Sequence, residues 1–378
     1  MKRPARAKRI GPLQRAMREE WLLGVSLATS LIFAAAGERL FDRLDNPLWL
    51  ALIFAWLFGV VAVSALAVAR HADHLAEYLG EPYGTLVMTL SVTAIEVVSI
   101  SAVMPHGENN PTLVRDTLFA IVMIILGGMV GVSLLAGGLR HREQHYNLQG
   151  ANAYLTVIIP LALFSLSLPN FTVTTPGPTL SLAQQAFLVL VSIGLYGTFL
   201  AIQTGRHRGY FTLGEEDAGR EHASVHAGRP LVWHSAFLLA YILPVVFLAE
   251  QLANPIDYLI ETLRFPQALG GVIIAMLVAT PEAIGATRAA VANKVQRSVN
   301  IFLGSVLSTI GLTVPIMLGI SYVTDHEVHL GLESANQLLL AVTLAVSLVT
   351  FASGRTNILQ GAVHVVLFAA YVMLIFEA

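Results

Sequence analysis

Apolar residues occur along this chain in long continuous runs, separated by short polar or Gly/Pro-rich breaks. A bilayer core about 30 Å thick requires roughly 20 apolar residues per helix, and eleven runs reach or approach that length. They cover residues 21–36, 48–69, 82–104, 114–138, 152–168, 180–203, 231–250, 267–288, 298–321, 334–351 and 358–376. Because the runs do not alternate with polar residues, they exclude a transmembrane barrel. The pattern predicts an all-α integral membrane protein with 11 transmembrane helices.

The composition agrees with this class and removes several kinds of site. The 378 residues are 55% hydrophobic and only 12% charged, outside the range of ordinary soluble domains. There is no cysteine, which excludes disulfides, thiolate metal sites and cysteine nucleophiles. No zinc-protease, serine-hydrolase, phosphate-loop or dinucleotide motif is present. We therefore expect no enzyme, no catalytic residue, no cofactor and no nucleic-acid partner.

The placement of basic residues predicts the orientation. With the N-terminus inside, 18 of the 22 Lys and Arg residues lie on the cytoplasmic side, and only four lie outside. Since cytoplasmic loops carry the excess of positive charge, we expect a cytoplasmic N-terminus and a periplasmic C-terminus. The basic stretch before the first run also fits a signal peptide. A retained tail followed by a first membrane helix explains it as well.

The two halves of the chain show a weak internal repeat. The segment from Gly84 to Glu96 aligns without a gap on the segment from Gly270 to Glu282. Each half would contain five helices, an odd number, so the second half would enter the membrane from the opposite side. The predicted organisation is a basic cytoplasmic tail (1–20), an extra first helix (21–36), a first repeat (48–203), a cytoplasmic linker rich in acidic residues and histidines (204–230) and a second, inverted repeat (231–378).

Glu96 and Glu282 are the candidate functional residues, because a carboxylate inside an apolar helix is costly and is usually functional. Hydroxyl groups surround them in sequence, and Pro281 should free a backbone carbonyl of its helix. Carboxylates, hydroxyls and carbonyls are hard oxygen ligands that suit calcium, sodium or potassium. The predicted cation ligands are Glu96, Glu282, Thr93, Thr280, Ser305 and Ser308, and the two glutamates are also the predicted proton carriers.

Other polar and small residues have plainer explanations. Glycines and serines spaced four apart on the fourth and ninth helices favour close helix packing. The segment HADHLAE contains His71 and His74 but lacks a third cluster to complete a zinc site. His234 and His364 are expected to bond a neighbouring carbonyl or hydroxyl. A structural ion pair remains the alternative for the two glutamates, although no basic residue lies at a similar depth.

Three stretches carry a family resemblance: ARHADHLAEYLGEPYGTLVMTLSVTAIEVVSISAVM, the region from ATPEAIGA to GSVLSTIGLTVP, and GRTNILQGAVHVVLFAAYVMLIF. They resemble the calcium/proton antiporters of the cation/calcium exchanger superfamily, in the ChaA-type branch. The resemblance implies two inverted five-helix repeats, an extra first helix and proton-coupled cation export across the bacterial inner membrane. It also assigns the two motif acids to Glu96 and Glu282.

The sequence departs from that family at several motif positions. The usual Gly-Asn pair before each acid is replaced by Val92-Thr93 and by Val278-Ala279. The amide of the following helix is replaced by Gly128 and Ser308. Losing these amide oxygens argues against a tight calcium site and agrees with the sodium and potassium transport associated with this branch.

We therefore expect a secondary transporter that exchanges Ca²⁺, Na⁺ or K⁺ for protons by alternating access. A passive cation channel that uses the same acids is the alternative. The sequence leaves open the preferred cation, the stoichiometry and the formation of a homo-oligomer. The lipid bilayer, inorganic cations and protons are the expected partners.

Overall fold

The computed structural model describes residues 20–80, 83–104, 110–212 and 230–377. Within these ranges, 11 helices are long and apolar enough to cross a membrane, which confirms the predicted class. They are α1 (Trp21–Phe41), α2 (Pro47–Leu79), α3 (Tyr83–Val103), α4 (Leu113–His141), α5 (Leu148–Leu166), α6 (Leu182–Arg206), α7 (Leu231–Thr262), α8 (Ala268–Val291), α9 (Val295–Thr324), α10 (Ser334–Phe351) and α11 (Ile358–Glu377). The tail, except Glu20, and most of the 204–230 linker lie outside the described residues.

Three helices are longer than their apolar runs predict. Helix α1 ends at Phe41 instead of residue 36, and α7 ends at Thr262 instead of residue 250. Helix α2 continues beyond residue 69 to Leu79, because no helix breaker occurs before Gly80, whose φ is 62°. The HADHLAE segment is therefore part of a helix and does not form a separate connection.

Helices α4 and α9 form the centre of the bundle and are the most buried spans, with 83% and 72% of their apolar windows inside the protein. Each contains a wide π-helical segment, at Met123–Met129 and at Thr309–Thr313 respectively. Two further π turns, of five residues each, end α6 and α7 at Ile202–Arg206 and Tyr258–Thr262. Such segments leave some backbone carbonyls without their usual helical donors and often mark functional sites.

Small residues on the central helices allow close contact with the last helix of each half. A Cβ built at Gly131 would lie 2.8 Å from the backbone nitrogen of Val365 on α11. On α9, a Cβ at Gly311 would lie 3.1 Å from the Tyr196 ring on α6. These contacts confirm the packing interpretation of both glycines.

The helix arrangement is compatible with the predicted repeats, which stay a prediction. The first helices of the two halves, α2 and α7, have 33 and 32 residues and share the most extensive helix contact. Helix α3 packs on α9, and α8 packs on α4, so each of these pairs joins a helix of one half to a helix of the other half. Helix α1 lies against α2 and α7. Strands β1 (Gln144–His145) and β2 (Arg355–Thr356) pair antiparallel and join two connections at one end.

Candidate cation site

The two predicted acids meet at α9, the central helix of the second half. Ser305 Oγ donates to Glu282 Oε1 at 3.2 Å, and Thr309 Oγ1 donates to Glu96 Oε2 at 3.0 Å. Ser305 and Thr309 are four residues apart and therefore lie on the same face of α9. One helix thus holds a glutamate from α3 and a glutamate from α8 at neighbouring positions.

Each carboxylate retains one buried oxygen without a partner in the described structure. These atoms are Glu96 Oε1 and Glu282 Oε2. Further buried hydroxyls lie near Glu96: those of Thr93 and Ser99, one turn before and after it on α3, have no partner in the described structure, and Thr313 lies beside it on α9. Leaving a buried acceptor without a partner costs about 1–3 kcal/mol, so this group of oxygens favours an additional ligand that accepts electron pairs.

The residues that the structure describes place no positive charge next to the two glutamates. Across the described ranges, no Lys, Arg or His nitrogen lies within 4.0 Å of either carboxylate. The same residues contain no cluster of three or more His, Cys, Asp or Glu side chains arranged to hold a metal. Glu96 is only 1% exposed and is influenced by the charge of Glu282. Neutralisation of the pair therefore requires protons or a bound cation.

Local helix geometry decides which hydroxyls reach the acids. The α-helical part of α9 ends at Ser308, and the π segment begins at Thr309. Ser308 Oγ donates to the Ser305 carbonyl at 2.9 Å, within its own helix. The sequence proposed Ser308 as a ligand and did not propose Thr309, because both residues lie within one turn of Ser305 and spacing alone does not choose between them.

Thr280 and Pro281 lie in the continuous helix α8 just before Glu282. Thr280 Oγ1 donates to the Met276 carbonyl at 2.6 Å, so this hydroxyl does not contact either acid. Pro281 has no N–H to donate to the carbonyl of Leu277, four residues earlier. Of the predicted hydroxyl ligands, the structure thus brings Ser305 to a glutamate, keeps Thr93 unsatisfied nearby and directs Thr280 and Ser308 to backbone carbonyls.

A third acid, Glu20, is also buried, but its carboxylate lies next to basic and hydroxyl groups. Its Oε2 lies 2.6 Å from Arg70 Nη2, 3.1 Å from the Tyr241 hydroxyl and 3.3 Å from His71 Nε2. His71 also contacts His234, with 3.0 Å between their Nδ1 atoms. We call these five residues the Glu20 cluster. It joins the start of α1 to α2 and α7, and it explains His71 and His234 without a metal.

His364 has the partners that the sequence predicts. Its Nδ1 bonds the Leu126 carbonyl, which lies in the π segment of α4, and its Nε2 lies 3.0 Å from Thr350 Oγ1. The side chain is fully buried. His364 therefore satisfies a carbonyl of the irregular part of α4 and does not contact the two glutamates.

The chain is similar to known proteins in sequence and in fold. The family model described as sodium/calcium exchanger protein matches residues 49–205 and 233–377. The sodium-potassium/proton antiporter ChaA of Escherichia coli (strain K12) is 40% identical over 270 residues, covering 70% of this chain and 73% of that protein. The family match includes both helices that carry the candidate acids.

Two solved structures show the same fold. The structure of native YfkE aligns with a TM-score of 0.72 at 18% identity, over 94% of this chain and 99% of that chain. The H⁺/Ca²⁺ exchanger CAX aligns with a TM-score of 0.63 at 15% identity, over 94% and 88% of the two chains. Taken with the family match and the identity to ChaA, these findings show that the chain belongs to the sodium/calcium exchanger family, in its ChaA-type antiporter branch.

Proposed function

We propose that the protein exports Ca²⁺, Na⁺ or K⁺ in exchange for protons by alternating access, and that Glu96 and Glu282 bind cation and protons competitively. The observation that carries this proposal is the carboxylate pair, buried at Glu96 and half-buried at Glu282, in which each acid has one hydroxyl donor and one buried oxygen without a partner in the described structure. The activities of two similar proteins support it. ChaA of E. coli is a sodium-potassium/proton antiporter, and YfkE is described as a Ca²⁺/H⁺ antiporter.

Coupling follows from the cost of bare charge in the membrane. Two ionised carboxylates without a counter-ion would carry a desolvation penalty of several kcal/mol per ion. A state with both acids protonated, or with a cation bound between them, avoids that penalty. Only these neutralised states should change their exposure from one side to the other, so each cation that leaves requires protons to return.

The helix pairing gives this exchange a structural basis. Helices α3 and α8, which carry the two acids, pack on α9 and α4 of the other half. If the halves are inverted repeats, the site lies at their interface, as in many secondary transporters. A rocking motion of one group of helices would then open the site to either side. We place the N-terminus in the cytoplasm and the protein in the bacterial inner membrane.

The ligand set favours a permissive site. Calcium takes six to eight oxygens, and the side chains that contact or flank the acids provide the four carboxylate oxygens and five hydroxyls. One divalent cation balances both glutamates, whereas a monovalent cation balances one and leaves a proton on the other. Because no amide side chain contributes, we expect moderate affinity and transport of more than one of these cations.

The experiment compares Glu96→Gln and Glu282→Gln with the wild type in inside-out membrane vesicles that carry a pH gradient. Glutamine retains the shape but can neither ionise nor take up a proton, so both variants should lose cation-dependent collapse of the gradient. Glu77→Gln is the matched control, because this side chain is 72% exposed at the end of α2. Normal exchange in both site variants would refute the assignment. Cation flux without proton movement would instead support a passive channel.

A further inference from the structure

A cavity of about 340 Å³ lies between the ends of α4 and α8, away from the two glutamates. Its walls are formed by Arg140, Thr287, Arg288, Val291 and Ala292. We call it the arginine notch. Both arginines are exposed, and each lies in the last turn of its helix. This is the predicted cytoplasmic end, so the notch lies where the hydrocarbon meets the lipid head groups.

The arginines of the notch are not needed to complete the end of α8. His141 Nε2 bonds the Val291 carbonyl at 2.8 Å, and Gln144 Nε2 donates to the Ala290 carbonyl at 2.8 Å. The backbone N–H of Lys294 donates to the Ala289 carbonyl, also at 2.8 Å. Terminal carbonyls often attract basic side chains, but here other donors already occupy them, which leaves the two guanidinium groups available to a ligand.

Charge and polarity define what the notch can bind. Within the described residues, neither Arg140 nor Arg288 has a carboxylate within 4.0 Å. Two guanidinium groups close together repel cations and attract anions. Next to Arg140, Leu139 is 75% exposed, and Val132 is exposed one heptad earlier on α4. An apolar stripe therefore leads from the notch along the outer surface of α4.

From this combination we propose that the arginine notch binds the phosphate of an anionic phospholipid, whose acyl chain follows the stripe of Leu139 and Val132. Guanidinium groups bind phosphate oxygens through paired N–H donors, and basic pockets between membrane helices accept lipid head groups. The apolar walls and the exposed stripe favour a lipid over a soluble phosphate, because a free anion makes no favourable contact with apolar side chains.

A bound head group would hold α4 and α8 together. The floor of the notch includes Thr287, whose Oγ1 lies 3.0 Å from the buried Ser133 Oγ of α4. Thr287 follows Glu282 by five residues on α8. A lipid that links Arg140 to Arg288 therefore clamps the helix that carries Glu282 onto the central helix α4. This inference does not depend on the proposed transport cycle.

The test uses purified full-length protein in a neutral detergent, with phosphatidylglycerol, phosphatidylcholine or inorganic phosphate added. Native mass spectrometry measures the bound lipid, and thermal denaturation measures the melting temperature. The double variant Arg140→Gln/Arg288→Gln is compared with Arg39→Gln/Arg43→Gln, which removes the same charge from exposed arginines at the end of α1 and just beyond it. A second variant, Arg140→Lys/Arg288→Lys, keeps the charge but loses the paired donors.

We expect phosphatidylglycerol to bind and to raise the melting temperature of the wild type and of the α1-end control, while phosphatidylcholine does neither. The glutamine variant should lose most of the bound phosphatidylglycerol, at least fivefold, and the lysine variant should retain an intermediate amount. Equal lipid binding by the glutamine variant and the control would overturn the proposal. Equal stabilisation by inorganic phosphate alone would also overturn it, in favour of a soluble anion.

Discussion

Two regions of the protein contain buried glutamate oxygens, and they differ in how many partners surround each carboxylate. In the Glu20 cluster, one carboxylate oxygen lies within bonding distance of an arginine, a tyrosine hydroxyl and a histidine. At the cation site, Glu96 and Glu282 have one hydroxyl each and an oxygen without a partner in the described structure. The difference separates an acid that joins helices from an acid that remains available to a ligand.

Asp116 supports the same distinction. This buried acid in the first turn of α4 accepts from Arg115 Nε at 2.8 Å and from Thr112 Oγ1 at 2.8 Å. Arg115 in turn donates to the Gly331 carbonyl at 3.1 Å, which connects α4 to the segment before α10. Burial alone therefore does not identify a transport site. Within the described residues, Glu96 and Glu282 differ from Glu20 and Asp116 in that no Lys, Arg or His nitrogen lies within 4.0 Å of their carboxylates.

The largest effect should come from neutralising the cation-site acids. Glu96→Gln and Glu282→Gln should each lower the exchange rate by about 100-fold or more, because the pair can no longer alternate between cation and protons. The melting temperature in detergent should stay the same or rise, since no ion pair is broken. A large loss of stability in both variants would show that these acids are structural, like Glu20.

The second largest effect should be a loss of stability, while the exchange rate should be retained. Glu20→Gln removes the charge that Arg70 and His71 contact, and it should lower the free energy of unfolding by about 1–2 kcal/mol. The value is below that for a fully buried pair because Arg70 is 43% exposed. Exchange assayed well below the melting temperature should continue. Tyr241→Phe, which removes one donor, is the milder comparison, and loss of exchange without loss of stability would abolish the distinction between the two regions.

Hydroxyls on α9 should tune cation affinity. Thr309→Val and Ser305→Ala each remove a hydrogen bond to a carboxylate, which is worth about 1.4 kcal/mol. Each variant should therefore raise the cation concentration at half-maximal exchange by about tenfold. Ser308→Ala is the control, because its hydroxyl bonds the Ser305 carbonyl in the same helix, and it should change this concentration by less than about twofold. The opposite order would return Ser308 to the ligand set that the sequence proposed.

The smallest effect should come from Tyr146, between β1 and α5. Its hydroxyl donates to the Thr350 carbonyl at 3.2 Å, and burial raises its pKa to about 12. Since the folded pKa lies above the unfolded value near 10, the phenol contributes stability below pH 10 that is lost as pH rises towards 12. Tyr146→Phe should cost about 1 kcal/mol at neutral pH and should abolish this loss. An unchanged alkaline denaturation profile would contradict the assignment.

The sequence predicts the helices well because each needs only a long apolar run. It underestimates α2, since His71 to Glu77 are polar although they continue the helix to Gly80. It also identifies Glu96 and Glu282, because an acid in an apolar run is visible without knowledge of the fold. The environment of Glu20 is not predictable in this way, since its partners lie 50 or more residues away in the chain.

The choice of hydroxyl donors at the site depends on packing between helices, which the spacing of residues in the sequence does not show. An ideal helix places both Ser308 and Thr309 near the face of Ser305, so spacing alone does not choose between them. The π segment that begins at Thr309 contacts α6 and other helices. It is this local widening that accompanies the contact of Thr309 with Glu96. The sequence therefore proposed the two glutamates and Ser305, which the structure brings together at α9, but it did not propose Thr309, the second hydroxyl donor.

Competition between cation and protons for the carboxylate pair is the central claim, and proton release on cation binding tests it directly. Purified protein in a weakly buffered detergent solution is titrated with Ca²⁺, Na⁺ or K⁺ while a pH indicator records released protons and calorimetry records binding. We predict that the wild type releases up to about two protons per Ca²⁺ bound, and that Glu96→Gln/Glu282→Gln releases none. Tight cation binding by the wild type without proton release would contradict the account.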